Sequence, residues 1–459
     1  MTPNRTMTTE RQSIHGQWSS RWTFILAATG AAVGLGNIWK FPYLTGEHGG
    51  SAFVLVYILC VAALGIPMMM AEVMLGRRGR ETPVNTMRHL AKEIHTSQNW
   101  QLIGWVGTLA GVLILSYYSV IGGWTLAYIL FSGTGTFSGA TGEGISNLFA
   151  NFVGNPIALV AWHTVFMIIT MLVVARGVKS GLEKAVQWLM PLLFVLLLVL
   201  VGYALTTGFF LRGLAFLFTP DFSRLSGNSM LVAMGQAFFS LSLGMGTIMI
   251  YGSYLPKDIS IAQTSVSIAV VDTLVALMAG IAIFPIVFAN GLEPGAGPSL
   301  IFKTIPVAFG NMAGGTFFGT LFFVLLLVAA WTSSISLIEP AVTLLIEKYG
   351  MTRLRAAFWT GLVTWALGFG TAFSFNIWAE YTFYDKNFFK LLDYLTSNLM
   401  LPLGGIFIAV FAGWLMTKEA SKGELSMKGE AGYKIWQILI RYVAPVAVLI
   451  VLCNAIGLL

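Results

Sequence analysis

Charged residues are scarce in this chain. Of its 459 residues only 10% are Asp, Glu, Lys or Arg, whereas about 25% is usual in soluble domains, and 56% are hydrophobic. No polar stretch reaches the roughly 50 residues that a separate soluble domain needs. Apolar runs near 20 residues recur along the whole length instead. The composition therefore predicts an all-α protein that crosses a membrane many times.

Cysteine and histidine are also rare. The two cysteines, Cys60 and Cys453, both lie inside apolar runs, which predicts small core residues and excludes a disulfide framework. The five histidines are scattered, so we expect no His/Cys metal cluster. Residues 1–21 are polar and lack the apolar core of a signal peptide. A Ser–Lys dyad, a pair of aspartates and an HExxH motif are all missing at membrane depth, so an enzyme is not expected.

The apolar runs predict eleven membrane spans. They cover residues 22–45, 51–76, 100–130, 157–175, 181–209, 229–254, 262–290, 315–346, 353–375, 388–416 and 434–458. We number these spans from first to eleventh along the chain.

The net charge is +7, and the positively charged residues are distributed unevenly between the two predicted sides of the membrane. Of the 26 Lys and Arg residues, six fall on the predicted outer side: Lys40, Arg212, Arg224, Lys303, Lys386 and Lys390. By the positive-inside rule the segment 1–21 is cytoplasmic, and eleven spans then put the C-terminus outside. We therefore predict a multi-pass protein of the cytoplasmic (inner) membrane with no nucleic-acid partner.

The first span carries an unusual stretch, residues 29–43 (TGAAVGLGNIWKFPY). Gly30, Gly34 and Gly36 weaken a helix by about 1 kcal/mol each relative to alanine, and Asn37 adds an amide. Non-helical backbone at membrane depth is tolerated only where it is buried in protein or lines a wet cavity. The stretch predicts a broken helix beside a binding site. Close helix packing through small residues is the alternative.

The sixth span repeats this pattern at residues 236–246 (QAFFSLSLGMG). Gly-interrupted segments at corresponding positions of two halves indicate the site of a transporter. A chance match is the alternative, because the chain has 50 glycines. The spacing predicts two five-helix structural repeats and an extra C-terminal helix, divided as 22–209, 229–416 and 434–458.

Two further spans carry polar groups at depth. Asp272 in the seventh span costs at least about 2.5–3.5 kcal/mol on insertion scales, so it is expected to bind a cation or to be protonated. In the eighth span Thr332, Ser333 and Ser336 lie near one helical face. Such hydroxyls often bond their own helix, but together they suit a hard cation such as sodium. Free amides at a helix start would hold the carboxylate of a zwitterionic amino acid.

Three motifs resemble the neurotransmitter:sodium symporter family, in its bacterial branch. They are residues 34–43 (GLGNIWKFPY), 238–244 (FFSLSLG) and 332–334 (TSS), and the resemblance extends over essentially the whole chain. It implies the leucine-transporter fold, a 5+5 inverted repeat with helices 1 and 6 broken, together with alternating access and sodium-coupled uptake of amino acids.

The resemblance also implies a set of ligands. A first sodium site would use the Ala32 carbonyl, Asn37, Ser240, Asp272 and the substrate carboxylate. A second would use the carbonyls of Gly30, Val33 and Ala329 with the hydroxyls of Thr332 and Ser333. Substrate would contact Ala32, Gly34, Ile114, Tyr118, Phe239, Ser242, Met245, Ser333, Ser336 and Leu337, and Tyr118 would hydrogen-bond its carboxylate.

The gates are implied in the same way. Lys40 matches the usual arginine of the outer gate, with Asp393 as its acidic partner, although lysine lacks the bidentate geometry of arginine. At the inner gate Trp18 and Glu347 match. His15 stands where relatives have arginine, which leaves Arg11 and Arg21 as candidate partners of Glu347.

The fifth span contains Gly181 and Pro191. A simple proline kink explains this pair, but the spacing also matches a motif that lets some bacterial relatives unwind this span during inward release. Asp272 falls where relatives often have a neutral amide, so its charge could replace a bound chloride. We therefore expect chloride independence.

The prediction is a sodium-driven importer of amino acids. The apolar lining implied by Ile114, Phe239, Met245 and Leu337 favours an apolar or aromatic substrate. A proton-coupled transporter and an amino-acid sensor using the same site are the alternatives. Uptake measured in sodium medium and in choline medium separates sodium coupling from proton coupling.

Overall fold

The computed structural model describes residues 13–294, 300–427 and 429–458. Within these ranges the protein is all helical, apart from one isolated bridge between Phe383 and Lys386. The N-terminal half contains α1 Arg21–Ala32, α2 Gly36–Glu47, α3 Ser51–Gly79, α4 Pro83–Glu93, α5 Gln98–Gly133, α6 Gly142–Gly154, α7 Pro156–Ala175, α8 Val178–Leu205 and α9 Phe210–Phe218.

The C-terminal half contains α10 Gly227–Ser240, α11 Thr247–Ser253, α12 Ile261–Ala289, α13 Thr304–Gly310, α14 Gly315–Tyr349, α15 Arg353–Phe373, α16 Phe388–Leu415, α17 Lys418–Leu425 and α18 Glu430–Ala455. In the described ranges nine helices are long and apolar enough to cross a membrane. The pair α1 and α2, bent by 53°, supplies the first span, and α10 with α11 supplies the sixth.

The predicted break in the first span is therefore confirmed. It lies at residues 33–35, where two backbone N–H groups donate to side chains and not to helical carbonyls. Gly34 N–H donates to Asn37 Oδ1 at 3.2 Å, and Leu35 N–H donates to Tyr118 Oη at 3.0 Å. A Cβ atom at Gly34 would lie 2.5 Å from Ser333 Oγ. Glycine is required here because α1, α5 and α14 approach so closely.

The break in the sixth span, residues 241–246, is also confirmed. Ser242, Gly244 and Gly246 have φ of 53°, 78° and 74°, the left-handed region that ends a helix and favours glycine. The free amide of Gly244 donates to Glu72 Oε1 at 2.6 Å. A buried carboxylate of α3 thus satisfies a backbone group that the break exposes.

Two long helices, α5 and α14, pack along one another beside both breaks. The broken first span packs on α12 and α14, while α10 and α11 pack on α3. The two cysteines differ from the prediction: Cys60 and Cys453 are free but half-buried, because each faces the edge of the helix bundle and not its centre.

Candidate functional site

The two breaks and the helices α5 and α14 enclose a small central cavity. Its volume is about 30 Å³. The residues predicted to contact substrate that line it are Ala32, Gly34, Ile114, Tyr118, Phe239, Ser242, Met245, Ser333 and Leu337. Ser336 is buried but does not line the cavity, since its hydroxyl donates to the Ser333 carbonyl of the same helix at 2.7 Å.

A first oxygen cluster lies where the first, sixth and seventh spans meet. Asn37 Nδ2 donates to Asp272 Oδ1 at 2.8 Å and to Ser240 Oγ at 3.2 Å. Ser240 Oγ donates to Asp272 Oδ2 at 2.5 Å, and the Tyr57 hydroxyl donates to the same oxygen at 3.4 Å. All four side chains are buried, so three uncharged donors surround one carboxylate.

A second oxygen cluster joins the end of α1 to α14. Ser333 Oγ donates to the Val33 carbonyl at 3.1 Å and lies 3.4 Å from the Gly30 carbonyl. The Thr332 hydroxyl donates to the Ala329 carbonyl at 3.1 Å. Carbonyls released at the break of the first span therefore lie beside the hydroxyls of the eighth.

Both clusters consist mainly of oxygen, with the Asn37 amide, whose nitrogen faces Asp272 and whose oxygen faces the Gly34 N–H, at the edge of the first. Hydroxyls, carbonyls, an amide and one carboxylate are hard donors that suit an alkali cation, whereas transition metals prefer nitrogen and sulfur. Among the described residues no group of three or more His, Cys, Asp or Glu side chains is placed to hold a metal. The donors thus fit sodium by their chemistry.

A vestibule of about 250 Å³ lies next to the central cavity, and we call it the outer vestibule because the loop charges predict that this side faces outwards. Lys40, Asp393, Tyr117, Tyr118 and Phe239 are part of its lining. Asp393 accepts from the hydroxyl of Ser397 at 3.0 Å, and the Lys40 ammonium lies over the Phe239 ring, 4.4 Å from its centre. The two predicted outer-gate residues share this vestibule without an ion pair within 4.0 Å.

The inner side of the site is covered by the segment before α1. Trp18 is 2% exposed, and its indole N–H donates to the Tyr251 carbonyl of α11 at 3.0 Å. His15 Nε2 lies 2.9 Å from Glu347 Oε1, and both side chains are nearly fully buried. The partner of Glu347 is therefore His15 itself. Arg21 makes no ion pair with it, and Arg11 lies outside the described residues.

Glu347 has further donors in the first turn of α4 and at the residue just before it. It accepts from the backbone N–H and hydroxyl of Thr82, at 3.0 and 2.7 Å, and from Asn85 Nδ2 at 2.7 Å. The bonds from Thr82 and Asn85 fix the position of the Glu347 carboxylate. In that position the His15 side chain, although shorter than arginine, is long enough to contact it.

The fifth span is continuous in this structure. It begins at Val178 with a wide helical turn, Val178–Glu183, that contains Gly181, and Pro191 lies inside the following helix. A Cβ atom at Gly181 would lie 2.2 Å from the Val173 carbonyl, so glycine is needed for the close turn. The Glu183 carboxylate of this turn accepts a hydrogen bond from the Ser19 hydroxyl, next to Trp18.

Sequence reasoning missed two residues of the site. Tyr57 touches Asp272, but an isolated tyrosine in an apolar run carries no signal for such a contact. Glu72 is an acid inside the apolar run of the second span, and its type alone does not indicate what it contacts. The structure puts its carboxylate at the break of the sixth span. The orphan amide of Gly244 was the signal that could have found it.

The chain is similar to known proteins over nearly its whole length. A family model described as the sodium:neurotransmitter symporter family matches residues 15–147 and 150–458. The chain is 39% identical over 446 residues to the uncharacterized sodium-dependent transporter YhdH of Bacillus subtilis (strain 168), which is 96% of this chain and 98% of the relative. It is 36% identical over 441 residues to an uncharacterized sodium-dependent transporter of Haemophilus influenzae, 95% and 96% of the two chains.

A solved structure is similar over the same extent. The crystal structure of MhsT in complex with L-phenylalanine superposes with a TM-score of 0.88 at 44% sequence identity. The match covers 96% of this chain and 99% of that one.

Proposed function

This chain belongs to the sodium:neurotransmitter symporter family, and from that premise we propose that it imports apolar or aromatic amino acids with sodium. Members of the family are sodium-dependent transporters and not enzymes, and the chain is a multi-pass membrane protein. Uptake from outside, two sodium sites and the side-chain preference are the parts proposed here.

The observation that carries the proposal is the environment of Asp272. Its carboxylate is 0% exposed and forms no ion pair with a Lys or Arg of the described ranges. Three uncharged donors alone leave a net negative charge in a low-dielectric interior, which is costly. A sodium ion neutralises that charge. We assign it the oxygens of Asn37, Ser240 and Asp272, the Ala32 carbonyl and the substrate carboxylate.

The second cluster is proposed as a further sodium site. Ser333 and Thr332 would supply hydroxyls, and the carbonyls of Gly30, Val33 and Ala329 would complete it. These ligands come from the end of α1, from Val33 at the start of the break, and from α14. An ion bound there would hold the N-terminal helix against α14, and its release would free that helix to move.

The central cavity is proposed as the substrate site. Gly34 leaves room beside the Tyr118 hydroxyl and supplies no acid, so the substrate has to bring its own carboxylate. Phe239, Met245 and Leu337 would surround an apolar side chain. At about 30 Å³ the cavity holds roughly one water, so these three side chains would have to move apart on binding. The structural relative MhsT binds L-phenylalanine, which supports an aromatic substrate.

Alternating access is proposed to follow from the repeats 22–209 and 229–416. The broken spans would tilt against α5 and α14, opening the vestibule or the inner side in turn. The protein would lie in the cytoplasmic (inner) membrane. The charges of the loops indicate that segment 1–21 is in the cytoplasm and that the C-terminus is outside.

Proton coupling is the second candidate, because an acid that is fully buried without a cationic partner is also stable when protonated. Initial uptake in sodium or choline medium, from pH 6 to 8.5, separates the two. Sodium coupling predicts that uptake is lost in choline at every pH. Uptake that persists in choline and follows the pH gradient would support the proton instead.

The identity of the substrate is tested by thermal stability. The purified chain is heated with each of the twenty amino acids, with and without sodium. Because the first sodium site includes the substrate carboxylate, stabilisation should appear only with both ligands present. Equal shifts without sodium would refute the shared site. Shifts by charged amino acids alone would refute the apolar preference.

A further inference from the structure

A third group of oxygens, which we call the inner cluster, lies where the beginning of the first span meets the beginning of α8. It consists of the Glu183 carboxylate and the hydroxyls of Ser19, Ser20 and Thr23. Ser19 Oγ donates to Glu183 Oε1 and lies 3.2 Å from Thr23 Oγ1, which lies 3.0 Å from Ser20 Oγ. None of these side chains belongs to the two proposed sodium sites.

Glu183 has a carboxylate oxygen without a partner. The residue is 6% exposed, and its Oε1 accepts from Ser19 and, at 3.4 Å, from Gln187 Nε2. Its Oε2 is buried and accepts no hydrogen bond from the described residues. No Lys or Arg of those residues forms an ion pair with it. A buried acceptor left unsatisfied costs about 1–3 kcal/mol, and more when it is charged. A cation beside Oε2 would recover that cost.

The ligands of the inner cluster indicate which kind of cation fits. Carboxylate and hydroxyl oxygens are hard donors, which suit alkali and alkaline-earth ions. A single carboxylate balances one positive charge, so a monovalent ion is favoured over Ca²⁺ or Mg²⁺. Thr23 and Glu183 are buried, whereas Ser19 and Ser20 are exposed, so an ion can reach the carboxylate from the inner side.

The inner cluster lies along the same two helices as the second oxygen cluster. Thr23 and Gly30 are seven residues apart on α1, so they share a face and are separated by about 10 Å along the axis. Glu183 and Met190 have the same spacing on α8. A Cβ atom at Gly30 would lie 3.2 Å from Met190 Sδ and 3.4 Å from Thr332 Cβ. The contact between α1 and α8 therefore leads directly from one cluster to the other.

We propose that the inner cluster is a third cation site, which binds a monovalent alkali ion. Glu183 Oε2 supplies the charged ligand, and the hydroxyl oxygens of Ser19 and Thr23 supply neutral ones. Sodium that leaves the second cluster and potassium from the cytoplasm share this chemistry. The experiment below distinguishes these two sources.

Occupancy has a consequence for the inner side. Ser19 donates to Glu183 in this structure, which joins the segment before α1 to α8. A cation held between Oε2 and the Ser19 oxygen turns the hydroxyl proton away from the carboxylate and removes that bond. Sodium that moves inwards thereby loosens the segment that covers its exit. This consequence rests on the proposed transport function, whereas the binding itself does not.

Binding is tested on crystals of the full chain grown without sodium and soaked in thallium(I) nitrate. Thallium(I) is a monovalent cation that anomalous scattering locates directly. We expect an anomalous peak in contact with the Glu183 carboxylate. Excess sodium nitrate or excess potassium nitrate is added in parallel soaks, and the salt that displaces the peak at the lower concentration identifies the ion. Peaks at the other two clusters are scored separately, so the proposed sodium sites can fail while the inner site stands.

Two glutamate variants provide the matched comparison. Glu183→Gln removes the charge but keeps an acceptor for Ser19, and it should abolish the peak. Glu419→Gln removes an exposed carboxylate from α17 on the same side, and it should leave the peak unchanged. Should Glu183→Gln fail to fold, Thr23→Val removes one hydroxyl at similar volume and should lower the peak severalfold. The absence of a peak in the parent, or an equal peak in Glu183→Gln, would overturn the proposal.

The consequence for transport is tested by the rate of sodium release into proteoliposomes in a single turnover. If the ion binds on its way inwards, Glu183→Gln should slow release severalfold, whereas Ser19→Ala, which keeps the charge, should not slow it. A bond that only joins the two segments predicts the opposite order, because Glu183→Gln keeps the acceptor and Ser19→Ala removes the donor. That order would refute the role of the inner cluster in release.

Discussion

At the scale of single residues, the site depends on one charge that the protein does not neutralise by itself. Asp272 receives hydrogen bonds from Asn37, Ser240 and Tyr57, none of which carries a positive charge. Hydrogen bonds to a charged group stabilise it by about 1.5–3 kcal/mol each, which offsets only part of the desolvation. The proposed sodium ion, arriving and leaving with the substrate, would complete the balance.

Gly34 gives a direct test of the substrate site. In Gly34→Ala the added Cβ would lie 2.5 Å from Ser333 Oγ and 2.8 Å from Tyr118 Oη, which fills the narrow part of the cavity. Overpacking of this kind costs about 1–3 kcal/mol, so amino-acid binding should weaken about tenfold or more. The measurement is the thermal shift with substrate and sodium.

Gly202→Ala is the matched control for that variant. Both substitutions add one methyl group to a glycine in a span, but nothing lies within 4 Å of a Cβ at Gly202. Its substrate response should equal that of the parent. A Gly34→Ala protein that binds substrate as tightly as the control would contradict the location of the site.

The sequence predicted the residues of the site better than their contacts. Asn37 and Ser240 were recognised by their motifs and Asp272 as an acid at membrane depth, and the structure brings them within hydrogen-bonding distance of one another. Tyr57 was missed because side-chain type alone does not indicate which helices meet. Lys40 was expected opposite Asp393, but an aromatic ring at 4.4 Å holds its ammonium instead.

At the scale of elements, the broken helices are what the sequence predicts most clearly. Residues with left-handed φ separate α10 from α11, and two of them, Gly244 and Gly246, are glycines that a single sequence shows. The hydrogen bond from Gly244 to Glu72 was not predictable, because it depends on the register between α3 and the sixth span. Local chemistry determines where a helix breaks, and packing determines what the break contacts.

Pro191 tests the function of the fifth span. Pro191→Ala restores one internal hydrogen bond and stiffens α8, so unwinding towards Gly181 becomes more costly. We expect the turnover rate of uptake to fall several-fold, while substrate affinity in sodium stays unchanged. Rates come from initial uptake into proteoliposomes, and affinities from equilibrium binding.

The neighbouring Leu192→Ala controls for a general weakening of that helix, because Leu192 is also exposed to lipid, by 42%. It should transport at the parental rate. If Pro191→Ala also keeps the parental rate, the proline is an ordinary kink.

The segment before α1 is tested at His15. His15→Ala removes the 2.9 Å contact with Glu347, and a hydrogen bond to a buried charged group stabilises by about 1.5–3 kcal/mol. Local opening should therefore become about tenfold or more frequent. Hydrogen exchange of the amides around Trp18 measures this, and His15→Arg should restore most of the protection.

His89→Ala serves as the control for that experiment. His89 also contacts a carboxylate, that of Glu81, but both side chains are about one-third exposed, at 30% and 33%. Exposed pairs contribute little, so exchange around Trp18 should not change. Equal exchange in His15→Ala and the parent would show that this contact does not hold the inner side closed.

At the scale of the whole molecule, hydropathy was sufficient to predict the architecture. Nine predicted spans correspond to single long helices and the other two to broken ones, within the described ranges. Long apolar runs leave few alternatives in a bilayer, because every backbone polar group has to be satisfied internally. Packing inside the bundle is less constrained, which is why the contacts between helices had no signature in the sequence.

The charge balance of the whole site predicts chloride independence. Asp272 supplies a fixed negative charge beside the proposed sodium, so no second anion is needed to compensate the ion. Replacing chloride by gluconate should leave sodium-driven uptake within about 20% of its value, an estimate that assumes one fixed charge balances one ion. A severalfold loss in gluconate would show that an anion binds as well.

The most direct test of the account is sodium-driven accumulation by Asp272→Ala in proteoliposomes. The control is Asp221→Ala, which removes an exposed outer carboxylate. Removing the buried charge should abolish the response of uptake to a sodium gradient, by at least tenfold, while Asp221→Ala accumulates like the parent. If Asp272→Ala concentrates its amino acid as well as the parent does, sodium does not bind at this carboxylate and the account is wrong.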